Sequence, residues 1–131
     1  MATITQPPIT VFASTARTAT STSATVRSGL AGGEGHTKGL ALVIDVTAVT
    51  STPSVVFTLE VATGGAAFAV IATSAALTLA NTAACLVIHP DVANDVANFA
   101  DQGPMRTRWR LVATHGNGDS ITFSVIAFPL Q

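Results

Sequence analysis

The sequence predicts an all-β fold: a single-domain, antiparallel, jelly-roll-like β-sandwich of about eight strands. Three observations lead there. Residues 40–47 and 54–62 alternate apolar and polar side chains with the period of a half-buried strand. Clusters of Gly, Pro, Asn, Ser and Thr punctuate the chain at short intervals. No apolar stripe of helical period runs long enough to sustain a stable helix. A small barrel satisfies the same pattern and stays open at this level.

Taken in order, residues 1–15 read as an extended N-terminal arm and edge strand, followed by a sandwich domain over 16–131. Pro7 and Pro8 forbid helix and remove two ladder donors, and residues 9–13 supply the edge strand. Residues 14–28 are rich in Ser and Thr, and the second half, 22–27, alternates as a strand does. Residues 29–39 (GLAGGEGHTKG) form a surface loop. This loop fails the P-loop pattern, because Gly39 follows Lys38 where Ser or Thr is required. It fails the dinucleotide fingerprint too, because Lys38 stands where glycine is needed.

Residues 40–47 place Leu40, Leu42, Ile44 and Val46 on one face and Asp45 on the other. Residues 54–62 place Val55, Phe57, Leu59 and Val61 inward, with Thr58 and Glu60 outward. The TSTP turn at 50–53 suggests that these two segments pair as a hairpin. Strands are then expected over 67–73, 76–80 and 84–89, with the last two separated at Asn81-Thr82. Residues 91–100 break the β pattern: Val92, Val96 and Phe99 share a helical stripe, as in a short helix or an ordered loop. Residues 105–128 read as a C-terminal hairpin about a Gly116-Asn117-Gly118-Asp119 turn that would use positive-φ residues. Trp109, Leu111, Ile121, Phe123 and Val125 form its inward face.

Composition narrows the function classes. Charged residues make up 10% of the chain, against roughly 25% in an average soluble domain, and mean hydropathy is +0.52. No apolar run reaches the length of a membrane-spanning helix, and the N-terminus lacks the basic region of a signal peptide. So apolar a surface points to a subunit covered by neighbours, although abundant alanine also raises hydropathy without making large sticky patches. A net charge of −1 argues against a nucleic-acid groove. Cys85 is the only cysteine, and its apolar setting, ACLVI, suggests a buried, inert thiol.

No catalytic constellation emerges. His36, His89 and His115 lack ligand spacing, and Cys85, His89 and Asp91 match no zinc pattern well. There is no nucleophile elbow, and the seven acids are dispersed. The expectation is therefore no enzyme, no cofactor, no metal and no small-molecule substrate. The one charged constellation is Arg106, Arg108 and Arg110, spaced by two along a strand. Like charges so placed need carboxylates or solvent, and Asp45 and Glu60 are the intrachain candidates.

Two stretches carry a resemblance. KGLALVIDVTAVTSTPSVVFTLE and HPDVANDVANF with PMRTRWRLVATHGNGDSITFSVIAF resemble a group of small virion-associated proteins of tailed bacteriophages. The likeness covers most of residues 38–128; the arm and the Ser/Thr-rich stretch match less, and Phe123 stands where the group often has Tyr. The resemblance implies a non-enzymatic structural protein of the virion, assembled in the bacterial cytoplasm. The expected role is a capsid decoration, or cement, protein: a homo-oligomer, expected to be a trimer, that binds between subunits of the major capsid protein. A neck or tail accessory subunit and a carbohydrate-binding fibre module are the alternatives. The candidate interface is Pro7, Pro8, Ile9, Val11 and Phe12 of the arm together with Arg106, Arg108 and Arg110. Removing residues 1–15 is expected to leave a folded domain that binds the capsid less well.

Overall fold

Alternation along the chain becomes two packed sheets in the computed structural model, which describes residues 8–27, 39–63, 66–89, 100–102 and 108–130. Its strands are β1 (Ile9–Arg17), β2 (Ser21–Thr22), β3 (Val26–Arg27), β4 (Gly39–Val49) and β5 (Val55–Ala62). They continue as β6 (Phe68–Thr73), β7 (Thr82–His89), β8 (Ala100–Gln102), β9 (Arg108–His115) and β10 (Ile121–Leu130). One sheet has the order β1-β10-β4-β7-β8 and the other β2-β9-β5-β6, with β3 also pairing β9. Both sheets are open, so the architecture is a sandwich and not a closed barrel.

The topology follows from nested pairing. β1 pairs β10, β2 and β3 pair β9, β4 pairs β7, and β5 pairs β6. Each pair encloses the next, as in one long hairpin whose innermost strands are β5 and β6. Rolling that ribbon sets β10 against β4 and β9 against β5, which is the jelly-roll wrapping. β7–β8 is the one parallel pairing among the described residues.

Two expected hairpins are overturned by this wrapping. β4 and β5 lie in opposite sheets, and so do β9 and β10. The chain at 50–54 and at 116–120 crosses between sheets as an arch. Turn chemistry marks where a strand ends, but the return direction is set by which apolar faces must meet. The arch at 116–120 also dispenses with left-handed residues: positive φ occurs at Ser51 (60°) and Asn81 (55°), not at Asn117. Instead the Asn117 Oδ1 accepts the Asp119 N–H at 3.0 Å, an Asx turn. Asn117 Nδ2 donates to the Thr52 carbonyl at 2.8 Å, and Asp119 Oδ2 accepts the Thr52 N–H at 3.1 Å. The two arches are thus clasped side by side.

Other segments are shorter than expected. The strand over 76–80 reduces to a single bridge, Val55 to Leu77. The strand over 22–27 is split into β2 and β3 by Ser23–Thr25. Ser23 and Ser74 explain both interruptions. Each is buried, and each hydroxyl replaces a ladder group: Ser23 Oγ accepts the Leu111 N–H and Ser74 Oγ accepts the Phe57 N–H, both at 2.9 Å. The expected helix or loop at 91–100 lies outside the described residues, except that Ala100 begins β8.

The core fills the space between the sheets as the periodicity demands. Leu40, Leu42, Ile44, Val46, Val55, Phe57, Leu59, Trp109, Leu111, Ile121, Phe123 and Val125 are fully buried, and Val61 nearly so. Phe123 lies at its centre, edge-to-face with Phe12 at 5.5 Å and with Phe57 at 5.1 Å. Phe57 belongs to the opposite sheet, so this aromatic contact ties the two layers together.

Candidate functional site

The arm residues divide between surface and core. Pro8 is exposed, Ile9 and Val11 are half-buried against the core, and Phe12 is buried within it. Pro7 lies outside the described residues. Because β1 runs through to Arg17 and pairs β10 along its length, removing residues 1–15 would strip most of an edge strand and a core aromatic. A deletion that tests the arm alone has to stop at Pro8.

Arg17 explains why β1 holds its place, and nothing local in the sequence announces it. Its guanidinium lies 5.0 Å from the Phe12 ring centroid and 4.5 Å from that of Phe123. It donates to the carbonyls of Ala13, Thr15 and Phe123 at 2.9–3.1 Å. Partial burial pushes its pKa below the ordinary arginine value. The carbonyls it takes lie where β1 is irregular, for register shifts occur between Thr10 and Phe12 and between Phe12 and Thr15. β6, at the edge of the other sheet, has a shift opposite Leu59/Glu60. Bulges and engaged carbonyls make poor templates for an incoming strand.

Nearby, His115 closes the same end of the sandwich. Its Nε2 lies 3.2 Å from the Arg17 carbonyl, so the ring donates from Nε2. Nδ1 is buried and has no hydrogen-bond partner among the described residues. No group of three or more His, Cys, Asp and Glu side chains that could hold a metal occurs among the described residues.

The exposed faces of the sheets carry the features that remain. On β1-β10-β4-β7, Val43 sits opposite Ile126 on one side and Cys85 on the other. The adjoining row sets Ala41 between Phe128 and Val87. Val43 and Ile126 are each 36% exposed and Phe128 is 40% exposed. The sequence holds the signal for this patch. LALVI in β4, ACLVI in β7 and VIAFPL in β10 are apolar on both alternating faces, the composition of strands covered on both sides. The topology makes these three strands neighbours. Cys85 belongs to this outer row and is exposed, which overturns the expected buried thiol. ACLVI contains no polar residue to fix the strand's phase, so either face was open to it. Desolvation by partial burial pushes the thiol pKa up.

The outer face of β9-β5-β6 is charged. Arg110 Nε donates to Glu60 Oε1 at 2.7 Å, and its guanidinium lies 4.0 Å from the Phe68 ring centroid. Of the two expected carboxylate partners, Glu60 is therefore engaged, while Asp45 lies in the other sheet beside Ser124 and Ala83. Arg108 is exposed. Arg106 lies outside the described residues. The register sets Arg27 of β3 directly opposite Arg108, a juxtaposition no local pattern could reveal.

Comparison with known families, with curated proteins and with solved structures finds no match in any of the three.

Proposed function

We propose that this chain is a non-enzymatic structural subunit of a bacteriophage virion, a capsid decoration protein that assembles as a homotrimer and binds between subunits of the major capsid protein. The observation that carries this is the second apolar face across β10, β4 and β7, in strands whose sequence has the composition of a sheet covered on both sides. The resemblance of residues 38–128 to small virion-associated proteins supports the same reading, as do the low charge and the jelly-roll wrapping that viral shell domains often use. The work is mechanical. Apolar burial contributes about 25 cal/mol per Å², and repetition over a shell multiplies a modest contact, less the entropy of association.

Irregular edges favour assembly through faces over strand addition. Trp109 is fully buried, so the chain's one tryptophan offers a glycan no stacking platform. Quantitative mass spectrometry of purified virions tests the assignment. A copy number on the scale of the shell subunits is the expected result. A copy number on the scale of one neck or tail ring would move the protein there, and absence from the particle would overturn the proposal. Light scattering of the purified chain checks the trimer.

A further inference from the structure

We infer that the outer face of β9, β5 and β6 is a docking surface for a carboxylate-bearing segment of a protein partner. The inference goes beyond the virion assignment and does not depend on it. Charge is the argument. Arg108 and Arg110 project from one face of β9, two residues apart, and Arg27 lies opposite Arg108 in the β3–β9 ladder. Internal compensation is small, because Glu60 is taken by Arg110 at 2.7 Å and no carboxylate among the described residues pairs with Arg108. This concentration of arginine occurs in a chain whose net charge is −1, so it reflects local placement and not a basic composition.

The surroundings specify the partner further. Phe68 lies under the Arg110 guanidinium, and Val70, opposite Glu60, is 57% exposed. Arginine beside a half-buried aromatic ring and an exposed aliphatic group is the composition of protein interfaces. Carboxylates on alternate residues of an extended segment repeat at the same interval as Arg108 and Arg110 along β9. The exposed guanidinium of Arg108 can meet such a carboxylate through two parallel N–H donors. A nucleic acid fits less well, since the net charge is negative and the face carries its own carboxylate.

Fluorescence anisotropy with the full chain tests this, using a labelled peptide of alternating Glu and Val. A Lys–Val peptide of equal length and a single-stranded oligonucleotide serve as comparisons. The Glu–Val peptide should bind, and binding should weaken as NaCl is raised. Arg108→Gln should reduce affinity about tenfold, the scale of one charge-assisted contact, with the thermal transition unchanged. Val43→Thr, on the opposite face, should leave binding intact. The inference is overturned if the Glu–Val peptide fails to bind, if Arg108→Gln leaves its binding unaltered, or if the oligonucleotide binds as tightly.

Discussion

The two outer faces of this sandwich rest on one shared core yet present opposite chemistries. Across β10, β4 and β7 the outward positions hold Val43, Ile126, Phe128 and Cys85, and Asp45 is the one charged side chain among those described there. Across β9, β5 and β6 they hold Arg108, Arg110, Glu60, Phe68 and Val70. Inward positions are alike on both sheets in being apolar, chiefly Leu, Ile, Val and Phe, with Trp109 and a few alanines among them. Folding constrains only the inward half of each strand. The outward half is where the two sheets differ, largely apolar on one and charged on the other.

The largest test removes what the faces share. Phe123→Ala deletes the ring that meets Phe12, Phe57 and the Arg17 guanidinium and should lower stability by about 3–5 kcal/mol in urea denaturation. Both faces should be lost in one transition. Loss of one sheet's signal before the other would break the picture of a common core. Smaller is Ser74→Ala, confined to the arginine-bearing sheet, which leaves the buried Phe57 N–H without its 2.9 Å acceptor. The same measurement should show a cost of about 1–3 kcal/mol.

Next, Glu60→Gln removes the carboxylate that pairs with Arg110 on the charged face and should cost only about 0.2–1 kcal/mol, because Arg110 remains partly solvated. Binding of the Glu–Val peptide should strengthen as stability falls, a divergence that a purely structural ion pair would not produce. On the opposite face, Ile126→Thr should change stability by less than about 0.5 kcal/mol. Its effect should appear in light scattering, as weaker self-association. The smallest perturbation is chemical. Iodoacetamide should alkylate Cys85 in the native protein, more slowly than a free thiol at the same pH, because the raised pKa leaves less thiolate. Full protection up to the unfolding transition would contradict its place on the surface.

These contrasts also show what the sequence made legible. Leu40–Val46, Val55–Val61 and Ile121–Val125 alternate so regularly that their inward residues are all but solvent-free in the structure. Sheet membership was hidden, because Gly116–Asp119 has the same local chemistry whether the next strand returns in plane or crosses to the other layer. Cys85 was misplaced for want of a polar neighbour to set phase. The outward character of Arg108 and Arg110 could be read locally. The opposition of Arg27 to Arg108, and the seating of Arg17 over two phenylalanine rings, depend on partners too distant in sequence for any local pattern to reach.

The nested pairing has a consequence in time. β1 is held by β10, and the Arg17 side chain grips a carbonyl 106 positions further along. Such pairings must close long loops before any contact rewards them, which places the domain among slow, high-contact-order folders, with times of milliseconds to seconds. During synthesis β1 waits for the strand that completes its ladder, so the first sheet cannot close before β10 has been made. Until then its apolar flanks stay open to neighbouring chains. A chaperone that covers those flanks during the wait would raise the yield of soluble protein without altering a single native contact.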